Sequence, residues 1–393
     1  MSRLGLYVHV PFCGSLCPYC AFASEAGRDG LRDRYVAAVC QEIHRAAAVH
    51  RCGPLHTVFL GGGTPSRLTP AQVGVLLEAA AAAFGLEPRA EVTLEANPDT
   101  ADVGRFSAFR EAGVNRLSLG VQSFSDETLR RLGRVHSAAQ ALEACAAARQ
   151  AGFDNLSLDL IFAVPRAPVH HWHQTVEQAL ALDPEHLSAY SLTIEEETPF
   201  ARRAARGRLH PLDEEEEAEQ YEWTVRQLVG AGYEHYEVSN FARPGRRSRH
   251  NWGYWTGAEY LGVGPSAHSF LAGRRSWNAT DLDTYLECVE SGAPPCVGAE
   301  DIDALTALRE RVWMGLRTVE GVSLQPHERA CLEGEARFAD LRAAGYLQYV
   351  GTRLRLSPRG FLLADALAVE VSDLLESCGA GESALSLFSR GGG

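Results

Sequence analysis

An α/β fold built on a parallel sheet is what this sequence predicts, and three observations predict it. Short apolar, β-branched runs alternate with alanine-rich helical stretches, the alternation recurs six times before Gly232, and 393 residues with 46% hydrophobic content can bury the core such a sheet needs. Six consecutive βα units point to a partial parallel (β/α)6 TIM-like barrel, with an open doubly wound sheet as the competing arrangement.

The strands are expected at Leu4 to Val10, His56 to Leu60, Glu91 to Glu95, Arg116 to Gly120, Asn155 to Ile161 and His186 to Thr193. Helices are expected between them, at Leu31 to Val49, Pro70 to Phe84, Asp102 to Glu111, Ala138 to Ala151, His171 to Leu182 and Asp213 to Val229. The acidic run Asp213 to Glu217 suits the positive end of a helix dipole and reads as a solvated face, not a metal site. Residues 1–232 thus form the barrel unit. Residues 233–300, rich in Gly and aromatic side chains from Tyr233 to Trp277, are expected to be ordered loops and a connector closing the barrel mouth. Two helices from Ala304 to Leu341 and a hairpin from Gly345 to Leu356 predict a small winged-helix-like C-terminal domain over residues 301–375. Residues 376–393 form a tail whose end, Ser389 to Gly393, should fray.

Composition excludes several functions. A net charge of -13 and a pI near 5.6 disfavour nucleic acid, and the acidic residues within the winged-helix-like unit favour packing over DNA binding. All 37 basic residues are arginine, so Schiff-base catalysis has no amine and a Gly-x4-Gly-Lys phosphate loop cannot be written. No apolar run approaches the ~18 residues of a spanning helix, and Met1-Ser2-Arg3 enters a strand-like run without a signal-peptide h-region. A cytoplasmic location is expected, with the ten cysteines as reduced thiols.

Cys13, Cys17 and Cys20, spaced Cys-x3-Cys-x2-Cys directly after the first strand, are the most informative residues. Three thiolates suit a 4Fe-4S cluster with one iron left open, whereas four close it. Zinc is the rival, but it wants a second cysteine pair, and Cys40, Cys52, Cys145, Cys288, Cys296, Cys331 and Cys378 are scattered singly. The bland alternative is three incidental cysteines.

Ligands of parallel α/β folds bind outside the carboxyl ends of the strands, and the conspicuous polar residues gather there. Gly61-Gly62-Gly63-Thr64-Pro65 follows the second strand, Glu95 and Asn97 end the third, Gln122 follows the fourth, Asp159 lies near the end of the fifth, and Arg134 follows strand four. Three successive glycines let backbone amides approach a polar ligand, and a tight turn would need only one. Either carboxylate alone is more often structural; their joint placement favours a site.

These residues carry a resemblance. The run Leu6-Tyr7-Val8-His9-Val10-Pro11-Phe12-Cys13 with Cys17, Tyr19, Cys20 and Phe22, then Gly61 to Pro65, Glu95-Ala96-Asn97-Pro98, Gly113 to Arg116 and Leu119 to Phe124, resembles the radical S-adenosylmethionine family. Within it the match is to the branch of oxygen-independent coproporphyrinogen III dehydrogenases and HemW heme chaperones, over about residues 4 to 370. The resemblance implies a 4Fe-4S cluster on Cys13, Cys17 and Cys20 whose open iron takes S-adenosylmethionine. It implies contacts to that molecule from Tyr7, Gly62 and Glu95. It also places Gly63, Thr64, Gln122, Arg134 and Asp159 around the second S-adenosylmethionine of the dehydrogenases. A cluster of this kind, once reduced by an external reductant, supplies the electron that splits the sulfonium to methionine and a 5'-deoxyadenosyl radical.

Two features resemble the chaperones. The dehydrogenases carry a fourth cysteine two positions after the third, where this chain has Phe22, and a longer stretch before the cluster loop. His250-Asn251-Trp252-Gly253-Tyr254-Trp255 matches the His-Asn-x-x-Tyr-Trp signature of HemW. It makes His250 the candidate heme contact, with Tyr254 and Trp255 as flat apolar surface and His268 as a second candidate. Arg243, Arg246, Arg247 and Arg249 are candidates for heme propionates or for a solvated basic loop. His250 as a structural cap among interface aromatics is the alternative. Gly262-x-Gly264, with Pro265 inside it, is a weak dinucleotide fingerprint. Ala163 stands where the family commonly shows a Gly-Leu-Pro turn, and Ala21 replaces a frequent Asp.

The expected function is heme chaperoning with heme, a 4Fe-4S cluster and S-adenosylmethionine as cofactors. The expected partners are an acceptor heme protein, membrane-bound, a reductant for the cluster, and a second copy of the chain in a homodimer. Radical decarboxylation of coproporphyrinogen III and a redox-sensing cluster protein without turnover are the alternatives.

Overall fold

The computed structural model describes residues 4–50 and 53–379. Six parallel strands, Leu4–Val10, Leu55–Gly62, Leu86–Ala96, Arg116–Gln122, Leu156–Phe162 and His186–Ser191, lie side by side in chain order. They match the predicted strands in place and order. The first has the expected bounds; the others run longer or shorter by a few residues, most at Leu86–Ala96, whose first half is polar and partly exposed and gives little apolar signal.

The helices between them begin where local chemistry caps them. Thr69 and Gln72 form a reciprocal capping box at Pro70–Phe84, as do Ser137 and Gln140 at Ala138–Gln150. Asp213 caps Glu214–Gly230, accepting from the Glu216 amide, so the acidic run is the helix start its charge predicts. Buried faces of these helices, Phe106 and Phe109 among them, cover the sheet in one core cluster.

Residues 233–300 depart from the prediction. Strands within them lengthen the sheet at both ends, with helices Arg249–Trp255 and Leu282–Ser291 between. Glu234–Glu237 and Asn240–Ala242 extend it antiparallel beyond the sixth strand. On the other side Tyr260–Val263 pairs parallel with the first strand, followed by antiparallel His268–Leu271, Arg274–Asn278 and Cys296–Asp301. The edges of the parallel sheet need covering, and short strands broken by glycine and turns do so without a clean period-2 pattern. The twelve strands form an open ladder among the described residues, consistent with a partial barrel.

Gly262 and Gly264 show why that segment is glycine-rich. A Cβ on Gly262 would stand 2.0 Å from the His268 carbonyl oxygen, and one on Gly264, at φ 96°, would stand 2.6 Å from that of His9. The pair serves a backbone crossing, not a dinucleotide.

The C-terminal unit has helices Ala304–Leu316, Pro326–Glu333, Ala336–Ala343 and Ala364–Ser377 around a small sheet of Val322–Ser323, Arg353–Leu356 and Leu347–Val350, the winged-helix-like shape expected. One expectation fails here: Cys331 and Cys378 form a disulfide, so not all cysteines are free. Their single positions in sequence gave no sign that two helices bring them together. Cys52 and the end of the tail lie outside the described residues.

Candidate functional site

A cavity of about 520 Å³ opens at the carboxyl ends of the parallel strands, and it gathers Cys13, Cys17 and Cys20 with Gly62, Gly63, Thr64, Glu95, Gln122, Arg134 and Asp159. Every sequence-predicted cluster and S-adenosylmethionine residue lines it except Tyr7. The Tyr7 side chain turns to the other side of the cysteine loop, donating or accepting a 3.0 Å hydrogen bond with His9 Nδ1 and lining a second cavity.

The cysteine loop is held by a circuit of polar contacts. The Thr64 hydroxyl lies 3.6 Å from the Cys13 sulfur and accepts from Asn97 Nδ2 at 3.0 Å. Asn97 Oδ1 in turn accepts from Arg134 Nη2 at 2.6 Å, and Arg134 Nη1 donates to the Cys17 sulfur at 3.5 Å. Arg134 also reaches the Gly120 carbonyl at 3.0 Å, tying the circuit to the fourth strand. Asn97 was expected at the site without an assigned contact; Ser118, Ser188 and Tyr190, on the fourth and sixth strands, were not singled out by the sequence.

The glycines work differently from expectation. The Gly63 and Thr64 amides donate to the Val10 and Phe12 carbonyls, and the Gly62 amide to Glu95 Oε2 at 3.2 Å, so these amides are not free for a ligand. Gly62 has φ 110°, and a Cβ on Gly63 would stand 2.9 Å from the Phe12 oxygen. Glycine is needed because the cysteine loop packs directly on this turn.

Two half-buried carboxylates line the same cavity. Burial, then the charge of Asp159, pushes the Glu95 carboxyl up to about 8. Asp159 is also raised by burial, against hydrogen bonds from Ser188 at 2.8 Å and Ser118 at 3.0 Å. Gln122 adopts φ 64°, where the ladder to the fifth strand shifts register, a left-handed conformation costing about 1–3 kcal/mol in a non-glycine residue.

The donors suit the expected cluster. The three thiols ring a cavity large enough for a cubane and a small ligand, and burial and the neighbouring thiols Cys17 and Cys13 raise Cys20. Among the described residues no three His, Cys, Asp or Glu side chains close up as they would around one ion at the ~2.3 Å of a zinc thiolate.

The radical SAM superfamily model matches residues 7–179. The heme chaperone HemW of Mycobacterium tuberculosis (strain ATCC 25618 / H37Rv) is 40% identical over 92% of this chain and 93% of its own. The heme chaperone HemW of Bacillus subtilis (strain 168) is 36% identical over 81% of this chain and 84% of its own. The chain belongs to the HemW family. The fold agrees: coproporphyrinogen III oxidase HemN from Escherichia coli superposes with a TM-score of 0.79 at 22% identity, covering 94% of this chain and 90% of that one. The radical SAM family implies a 4Fe-4S cluster and S-adenosylmethionine.

The run His250 to Trp255 forms most of helix Arg249–Trp255 and does not line the cysteine cavity. His250 is 4% exposed, its Nδ1 2.8 Å from the Thr57 hydroxyl and its Nε2 2.8 Å from that of Tyr254. Burial, then Arg116, pushes its imidazole down to about 3. With both nitrogens engaged, His250 presents none to a heme iron in this conformation; it ties the second strand to helix Arg249–Trp255. Trp255 meets Trp313 of the C-terminal unit, 6.2 Å between centroids. The nearby arginines are also committed: Arg243 to Asp183 at 2.6 Å, Arg247 to Glu234 at 3.1 Å, Arg246 to Asp154 at 3.7 Å and Arg249 to Glu91 at 3.8 Å.

Proposed function

We propose that this chain takes up heme and passes it to an acceptor heme protein, with its cluster and S-adenosylmethionine as structural or regulatory cofactors. The observation that carries this reading is the reach of the similarity, 40% identity over 92% of this chain to a protein named as a heme chaperone. Phe22, 71% exposed at the position where the dehydrogenases have a cysteine, supports it.

In this reading Cys13, Cys17 and Cys20 hold the cluster. Gly62, Gly63, Thr64, Glu95, Gln122, Arg134 and Asp159 surround S-adenosylmethionine, and Tyr7 acts from behind the loop. Arg134 neutralises part of the thiolate charge, while Glu95 anchors the glycine turn. The acceptor is membrane-bound, and the chain works in the cytoplasm as a homodimer with an external reductant. No helix among the described residues is long and apolar enough to cross a membrane.

Anaerobically reconstituted protein tests this. About one heme per chain should bind and then move to an apo heme protein, and coproporphyrinogen III should be left unchanged. Formation of protoporphyrinogen IX from coproporphyrinogen III would replace the chaperone with the dehydrogenase.

A further inference from the structure

A second cavity, of about 490 Å³, lies on the far side of the cysteine loop. Ala21 and Phe22, just after Cys20, line both cavities, so this segment is the wall between them. Tyr7, Tyr254, Tyr260, Phe270 and Met314 give the second cavity broad, flat, apolar surfaces. Its size falls within the ~300–1,000 Å³ of small-molecule sites, and its lining suits a planar aromatic ligand.

His268 stands in this lining, exposed, at the first position of its strand. Its ring stacks beside Trp277, centroids 5.9 Å apart at 26°. Among the described residues neither of its nitrogens has a hydrogen-bond partner. In contrast, both nitrogens of His250 and of His9, the other histidine of this lining, are engaged. Arg275, Glu300 and Glu310 are the charged groups facing His268; Arg275 joins the two carboxylates, at 2.8 and 2.6 Å. Burial, then Arg275, lowers the His268 imidazole, favouring the neutral form that ligates metals. The close backbone crossing at Gly262 sets His268 at this rim, since a Cβ there would meet the His268 carbonyl.

We propose that this cavity is the heme site and that His268 is the ligand to the iron. The assignment rests on the heme-carrying function proposed above and moves the ligand away from His250. Heme then lies against the back of the cluster loop, with Phe22 at its edge. Cluster and cargo are neighbours across one two-residue wall.

Ferric heme titrated into the cluster-loaded protein, followed at the Soret band, tests the assignment with three variants. His268→Ala should weaken uptake at least ~10-fold and shift the band, and added imidazole should restore the parent spectrum. Ala258→Trp, which fills the cavity, should abolish uptake while the cluster absorbance stays. His250→Ala should keep the parent band position. The proposal is overturned if His268→Ala gives the parent spectrum and affinity, if imidazole fails to restore the spectrum, if Ala258→Trp binds heme normally, or if His250→Ala alone loses the ligand band. In each of these the heme-carrying function stands; protein that binds no heme at all overturns both.

Discussion

Arg134 shows how much one side chain does in this site. It bridges Asn97 and the Cys17 sulfur, at 2.6 and 3.5 Å, and so couples the glycine turn to the cluster loop. Hydrogen bonds to cluster sulfurs raise reduction potentials by stabilising the extra negative charge of the reduced state. Arg134→Ala should therefore keep the cluster but lower its potential, as a redox titration followed by electron paramagnetic resonance would measure; an unchanged potential would leave the contact without electronic effect. Cys17→Ala, by contrast, should lose the brown cluster absorbance altogether.

Glu95 sets a pH dependence at the same scale. Its carboxyl rises to about 8 in the fold, so the folded chain holds a proton there that the unfolded chain, titrating near 4.5, has released. The stability this gives is complete below pH about 4.5 and is lost as pH rises toward about 8. Buried His250 and His235, pushed down to about 3 and about 4, act oppositely: the unfolded chain protonates first, so stability falls as pH drops below about 6.5. Thermal unfolding of cluster-free protein should show its highest midpoint between these limbs. Glu95→Gln should make the alkaline limb shallower, the rest of it belonging to Glu42 and Glu237, both pushed up to about 7 by burial, while a midpoint still falling as steeply would place the titration in those two alone.

Among the elements, the turn after the fifth strand is the most instructive. Ala163 stands at φ 56°, with its amide donating to Gln220 at 3.1 Å, so the chain makes the left-handed turn without the usual glycine. A left-handed alanine costs about 1–2 kcal/mol, and glycine gives back ~0.5–1 kcal/mol through its looser unfolded state. Ala163→Gly should be neutral to mildly stabilising and Ala163→Val destabilising by more than about 1 kcal/mol, read from denaturant midpoints. Equal effects of the two would mean that the backbone there relaxes. The parallel strands and the helices between them were legible because apolar periodicity and the acidic helix start at Asp213 act locally. The edge strands were not: Tyr260–Val263 owes its place to the first strand, distant in sequence, and His268–Leu271, which pairs with its chain neighbours, is too short to show a clean period-2 pattern. The role of Gly262 was invisible too, since it depends on which carbonyl passes over it.

For the whole molecule, the cysteine loop is a partition. The cluster cavity was readable from residue types at strand ends, because a parallel sheet brings those ends together whatever the details. The second cavity was not, because it forms where an added edge strand, the back of the first strand and helix Ala304–Leu316 meet. The surroundings of His250 were equally hidden, because its motif gives identity and spacing, while only the fold shows that Thr57 and Tyr254 engage both nitrogens. The disulfide between Cys331 and Cys378 was hidden likewise.

The central claim is that three thiolates hold a cluster whose remaining iron is open to S-adenosylmethionine. Iron and acid-labile sulfide should be determined on air-free protein, with the resonance of the reduced cluster recorded before and after S-adenosylmethionine is added. About four irons and four sulfides per chain, and a signal that changes on addition, are predicted. Protein without iron, or a signal indifferent to S-adenosylmethionine, would contradict the account.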